Sequence, residues 1–258
     1  MLEGRTLVVS GAGPGLGGEV ARLALRDGAR VVIAARREGP LRELARRLDP
    51  AGERVSCQAT DISDAAQCQA LAEAAVQRFG GIDAFVQVAA LDAVFGGFAD
   101  VKPDDWRKTF EVNVIGSTQA ARAMVPALRE RGGGSIVLIG SQSSFKRLTP
   151  QIAYASSKGA LHTASYYMAA ELGPDRIRVN TVVPTWMWGP PVQAYVKMMA
   201  KQRGVTEEVV VAEIVSDMPI PEIPADEDVA EAAIFLCSDR ARFITGQALF
   251  VNSGELMP

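Results

Sequence analysis

Cysteine is scarce in this 258-residue chain: Cys57, Cys68 and Cys237 are too few and too far apart for a disulfide framework, and no C-x-x-C pair could clasp a metal. They read as buried thiols in a reducing cytoplasm. Histidine is scarcer still, with His162 alone, and no metal site is expected. Every apolar run falls short of the roughly 18–20 residues needed to cross a bilayer, and Met1-Leu-Glu-Gly enters a strand-like run with no signal-peptide pattern. Neither sign of charge dominates; a net −3 leaves no electrostatic footprint for nucleic acid or anionic membrane. Arg42, Arg46 and Arg47 therefore read as a solvated helical face. Repeats and low-complexity stretches are missing. What is present, 48% hydrophobic residues over 258 positions, suffices for one α/β unit with its sheet covered on both faces.

Short apolar runs alternate with helical periodicity in the order that builds a parallel sheet by right-handed crossovers. Strands are predicted at 6–10, 30–35, 54–59, 83–88, 134–139, 177–183 and 247–251. Between them the pattern predicts helices from Leu16 to about Arg26, Leu41 to Leu48, Ala65 to Phe79 with Ser63 as cap, one long helix from about Pro103 to Arg131, a helix carrying Tyr154, and Asp226 to Cys237. Residues 1–258 are expected to form one domain, Rossmann-like and doubly wound. The alternation breaks at about 189–224, where Pro190, Pro191, Pro219, Pro221 and Pro224 bracket a helical middle. An insertion after a strand's carboxyl end reads as a helical substrate lid.

Tyr154 and Lys158 stand four residues apart, so on a helix the phenol and the ammonium share a face. A neighbouring cation favours phenolate and is expected to lower a tyrosine pKa that is ordinarily about 10. The run 134–139 ends at Gly140-Ser141, which puts the Ser141 hydroxyl at a strand's carboxyl end, where open α/β sheets keep their ligands. The first strand runs straight into Gly11-Ala-Gly-Pro-Gly15-Leu-Gly17. Such a turn lets backbone N–H groups approach a pyrophosphate closely, with a helix N-terminus behind them. Two registers compete: Gly11, Gly15 and Gly17 follow the strand at once, whereas Gly13, Gly15 and Gly18 meet the G-x-G-x-x-G spacing. The first is preferred because it leaves the helix long enough to pack.

On these residues the chain resembles the short-chain dehydrogenase/reductase family over essentially its whole length. The family's T-G-x-x-x-G-x-G turn is matched by Ser10 through Gly17, with serine for threonine. Its Asn-Ser-Tyr-Lys set maps onto Asn113, Ser141, Tyr154 and Lys158; its adenine-contacting Asp onto Asp61, followed by Ile62; and its P-G turn onto Pro184-Thr185. The resemblance implies hydride transfer between a nicotinamide cofactor and a carbonyl or alcohol carbon. Tyr154 would protonate the alkoxide, Ser141 would hydrogen-bond the same oxygen, Lys158 would hold the nicotinamide ribose, and Asn113 would support the lysine through a water. The implied cofactor set is Ser10, Gly11, Gly15, Leu16, Gly17, Arg36, Arg37, Asp61, Ile62, Ala89, Tyr154, Lys158 and Pro184. A homotetramer or homodimer built on the long helices is also implied. Two departures stand out: the N-N-A-G stretch is Gln87-Val88-Ala89-Ala90, and Gly189 replaces a threonine near the nicotinamide amide.

Cofactor and substrate choice rest on further residues. NAD-specific folds end the second strand with a carboxylate for the ribose hydroxyls. Here Ala35 stands there, followed by Arg36 and Arg37, each able to offer a planar fork to a 2′-phosphate. NADP(H) is expected, with NAD(H) as the alternative. Trp186, Met187, Trp188, Tyr195, Met198 and Met199 form an aromatic and thioether patch. Trp186 and Trp188 are read as one pocket wall, with Phe95 and Phe98 as the opposite wall, for a hydrophobic substrate, a cyclic or aromatic ketone or secondary alcohol among the candidates. His162 lies eight residues past Tyr154, off its face, and reads as structural or interfacial. The rival readings are a noncatalytic dinucleotide-binding regulator and a dehydratase or epimerase.

Overall fold

A computed structural model describes residues 1–257; the final position of the expected domain, 258, lies outside them. Seven strands form one all-parallel sheet in the order β3-β2-β1-β4-β5-β6-β7: β1 (Thr6–Ser10), β2 (Arg30–Ala35), β3 (Val55–Ala59), β4 (Ala84–Gln87), β5 (Gly134–Ile139), β6 (Ile177–Pro184) and β7 (Ala248–Val251). The strands are apolar at consecutive rather than alternate positions because both faces are covered. Leu7 and Val9 point into one core, and Val8 between them into the other. The first core is closed by α1 (Leu16–Arg26), α2 (Glu38–Leu48) and α9 (Asp226–Cys237), the second by α3 (Ala65–Phe79), α5 (Ser117–Glu130) and α6 (Ile152–Leu172).

The chain leaves β1 for β2 on one side and returns through β4 on the other, so the connections that leave the carboxyl ends of β1 and β4 part to opposite faces and open a crevice. Its walls are tied together where the Ser10 carbonyl accepts hydrogen bonds from the N–H groups of Val88 and Ala89 at 2.9 and 3.1 Å.

Two helical expectations are corrected. The cap of α3 is Asp64, whose carboxylate accepts from the N–H groups of Ala66 and Gln67, while Ser63 instead donates to Asp61. A side chain in that role is worth about 1 kcal/mol. The single long helix at 103–131 is two helices, α4 (Pro103–Phe110) and α5, joined by a π-helical turn over Glu111–Gly116. A π turn inserts one residue while the backbone stays helical throughout, and with no proline to mark it the segment reads as one helix.

The excursion expected at about 189–224 holds α7 (Pro190–Arg203) and α8 (Glu207–Ile214). These pack mainly on each other around Val196, Ala200 and Val210, a satellite apart from the two sheet cores.

Candidate active site

The glycine turn is built by close approach. Gly11 has φ +86°, and a Cβ there would lie 2.3 Å from the Ala89 nitrogen. A Cβ on Gly17 would lie 2.3 Å from the Gly11 carbonyl oxygen, and one on Gly18 equally close to that of Gly13. Gly18, from the other register, is thus as necessary to packing as Gly17. Gly15 differs: its missing side chain leaves room in the groove, the nearest atom being an Asp226 carboxylate oxygen at 3.4 Å. Ser10, Gly11, Gly15, Leu16 and Gly17 all line one groove of about 500 Å³ that runs along the crevice.

The same groove takes in Ala35 and Arg36 at one end, Asp61, Ile62 and Ala89 along it, and Ser141, Tyr154, Lys158 and Pro184 at the other. Arg37 stands outside; it precedes α2 as its cap residue. The Asp61 carboxylate turns back to accept from the Ser63 hydroxyl and N–H at 2.6 and 3.0 Å, which holds its pKa below the usual value, with a smaller contribution from the Arg36 charge. A long groove with glycine backbone at its middle and a free guanidinium at the adenine end fits a phosphorylated dinucleotide.

At the catalytic end, Lys158 is buried and its Nζ donates to the Ile139 carbonyl at 2.6 Å, lying 5.7 Å from the Tyr154 ring centroid. Ser141 extends from β5 and exchanges a 2.8 Å hydrogen bond with the Ser143 hydroxyl. The expected lowering of the Tyr154 pKa is corrected. Burial pushes the Tyr154 phenol up to about 12, against the pull of the nearby Ser141 hydroxyl, and burial pushes Lys158 down to about 8. Desolvation disfavours each charged form and is the largest influence on both groups.

Asn113, brought inward by the π turn, is fully buried. Its Oδ1 accepts from the Leu91 N–H at 2.6 Å, and its Nδ2 donates to the Leu91 carbonyl and the Ser157 hydroxyl, both at 3.0 Å. It thereby fixes the β4–α4 loop to the catalytic helix. Gln87 covers the first missing asparagine: its Nε2 donates to the Ala89 carbonyl and the Ser117 hydroxyl. At the second departure, a Cβ on Gly189 would fall 2.4 Å from an Asp226 carboxylate oxygen, so the Asp226 side chain fills the space a threonine would need.

A cavity of about 240 Å³ opens beside Ser141 and Tyr154. Trp186 lines it, with Leu148, Met187, Pro191 and Val192 as further apolar wall and Asp92, Thr149 and Gln151 as polar wall. Trp188 and Phe95 are not among its walls; Phe95 is 65% exposed on its loop, and Phe98 is 90% exposed. The Trp188 N–H donates to the Pro224 carbonyl, a turn that separates it from Trp186. Leu148 and Gln151 went unnoticed in the sequence because only tertiary packing carries their loop to the cavity. Thr185, where the family has glycine, donates its hydroxyl to Glu255, which also accepts from Lys146 at 3.3 Å. His162 lies against Phe145 and Tyr166, away from the cavity. Among the described residues no group of three or more His, Cys, Asp or Glu could hold a metal, and no helix is long and apolar enough to cross a membrane.

A Rossmann-like sheet with a phosphate-ready turn, a Ser-Tyr-Lys cluster at its carboxyl edge and a cavity beside it defines an NAD(P)-dependent oxidoreductase. The comparisons agree. A family model described as enoyl-(acyl carrier protein) reductase matches residues 11–255. An uncharacterized oxidoreductase of Methylorubrum extorquens is 33% identical over 255 residues, covering 98% of each chain. Dehydrogenase/reductase SDR family member 4 of Mus musculus is 30% identical over 98% of this chain and 88% of its own. The structure of L-sorbose reductase from Gluconobacter frateurii, complexed with NADPH and L-sorbose, superposes with a TM-score of 0.93 at 29% identity, covering 100% of this chain and 98% of that one. The chain belongs to the short-chain dehydrogenase/reductase family.

Proposed function

We propose that this enzyme uses NADP(H) to interconvert a hydrophobic ketone, cyclic and aromatic ones included, and its secondary alcohol. The observation that carries the reading is the shared cavity: Ser141 and Tyr154 project into it from β5 and α6, while Lys158 stands behind the phenol. A bound nicotinamide supplies the hydride. The chain's own residues do the rest. Tyr154 delivers its proton to the substrate oxygen and Ser141 donates a hydrogen bond to it, so charge developing there meets donors already in place. Lys158 holds positive charge next to the phenol and orients the ribose; Asn113 keeps the loop bearing Leu91 in register with α6. Ala35 and Arg36 support the NADP(H) preference, since Arg36 faces the groove and no carboxylate ends β2. An NADPH-bound relative supports the same choice.

The apolar wall around Trp186 supports an apolar substrate body, and α7–α8 are proposed to act as its lid. Exposed Ile115, Tyr166 and Tyr167, beside an apolar groove between α5 and α6, support self-association as a homodimer or homotetramer. The three unpaired thiols support a cytoplasmic setting. The test is NADPH oxidation against a panel of hydrophobic ketones, with an enoyl thioester included, repeated with Tyr154→Phe. The expected loss is about 10²–10⁴-fold with cofactor binding retained; activity within threefold of wild type would sink the assignment of Tyr154.

A further inference from the structure

The catalytic cavity contains a carboxylate that proton transfer does not use. Asp92 lines this cavity together with Ser141 and Tyr154, and also lines the cofactor groove together with Lys158. Its negative charge bears on both Tyr154 and Lys158, raising each. The backbone that carries it is fixed at two points. Asn113 grips both the N–H and the carbonyl of the preceding Leu91, and the Asp92 carbonyl itself accepts from Gln151 Nε2 at 2.6 Å. Gln151 is steadied by the Thr149 hydroxyl, again at 2.6 Å. Among the described residues no hydrogen bond or ion pair within the chain occupies the Asp92 carboxylate. No lysine, arginine or histidine lines the cavity, and its second carboxylate, Asp226, stands at the far end beside Gly15.

A carboxylate on a fixed backbone at the exposed mouth of the cavity, with no cation among the cavity's own walls, favours a hydrogen-bond donor or a cation beside the reacting carbonyl and disfavours an anion. We propose that Asp92 is a specificity-determining residue. It selects substrates that carry a hydroxyl or ammonium group next to the reacting carbon and rejects those that carry a carboxylate or phosphate there. The preferred substrate is thus an apolar body on the Trp186 side with a donor on the Asp92 side. This rests on the hydride-transfer reading above.

The test uses four ketones with one common apolar body: unsubstituted, α-hydroxy, α-ammonium and α-carboxylate. Values of kcat/KM are measured with saturating NADPH for the full chain, Asp92→Asn and Asp92→Ala. The wild-type protein should favour the ammonium and hydroxy ketones and turn over the carboxylate worst. Asp92→Ala should cost the ammonium ketone about 2–5-fold relative to the unsubstituted one and improve the carboxylate. Asp92→Asn should do the same for the charged pair but keep most of the hydroxy preference, because the amide oxygen still accepts. A single common factor for all four ketones, together with a shifted pH profile, would mean that Asp92 acts only through Tyr154 and Lys158 and would overturn the proposal. Failure of the underlying reading looks different: none of the four is reduced, and both conclusions fall.

Discussion

Helices α1 and α7 both begin at a glycine that faces the Asp226 carboxylate, Gly15 in one case and Gly189 in the other, yet they are anchored in different ways. The first buries Leu16, Val20 and Leu23 in the core that β1 and β2 share. The second buries Val196 and Ala200 chiefly against α8. The cofactor turn is therefore anchored in the sheet core, whereas the helical pair beside the cavity carries its own small core, which is what the proposed lid role requires. A turn that must meet the same pyrophosphate every time gains from rigidity; a wall that admits and releases substrate gains from independence.

The contrast predicts unequal responses to similar cuts. Leu138→Ala, in a fully buried central strand, should lower global stability by about 2–5 kcal/mol, read as a shifted urea midpoint. Val196→Ala removes similarly buried side-chain volume but should leave that midpoint nearly unchanged while speeding amide exchange across 190–214. Equal midpoint losses would show that the pair is part of the main core after all.

Cofactor preference should respond next. Ala35→Asp combined with Arg36→Ala is expected to remove an NADP(H) preference of about 10–150-fold, measured as the ratio of kcat/KM values with NADPH and NADH. An unmutated enzyme that works equally well with NADH would refute the preference. On the substrate side, Trp186→Ala should raise KM about tenfold for bulky ketones, from the area such a ring buries, and little for small ones. Trp188→Ala should do neither, since its ring lies outside the cavity; matching effects would reunite the two.

The remaining expectation is a pH signature. Lys158 is pushed down to about 8 and Tyr154 up to about 12, both by burial. Between pH 8 and about 10 the unfolded chain holds the lysine proton that the native state has released, so stability rises with pH. Above about 10 the unfolded tyrosine ionises while the native one does not, and stability falls again. Lys158→Met should abolish the rise. A flat wild-type profile from pH 8 to 10 would contradict the burial of the ammonium.

Much of this was legible in the residues. A parallel strand covered on both faces announces itself as an unbroken apolar run, and Tyr154, Lys158, Ser141 and the glycine turn are contiguous signals whose spacing implies their geometry. The invisible parts depend on distant packing. Asp92, Leu148 and Gln151 reach the cavity on loops that no periodicity marks, and Trp188, two residues past Trp186, lies outside it. The direction of the Tyr154 shift reversed expectation because charge proximity can be read from spacing, whereas desolvation cannot.

The π turn at Glu111–Gly116 amounts to a phase shift written into a helix. Upstream, Thr109 faces inward; downstream, Ser117, Ala120 and Met124 do, and the extra residue lets both faces stay buried while Asn113 points at Leu91 and Ser157. Deleting one residue from the turn would leave a smooth α-helix of nearly full length, more regular than before by any measure of helicity. It would also swing Asn113 or everything after it by about 100°, so the loop bearing Asp92 would lose its clamp. A family member in which that one position is lost should keep its helicity while losing either the Asn113 clamp or the buried face of α5.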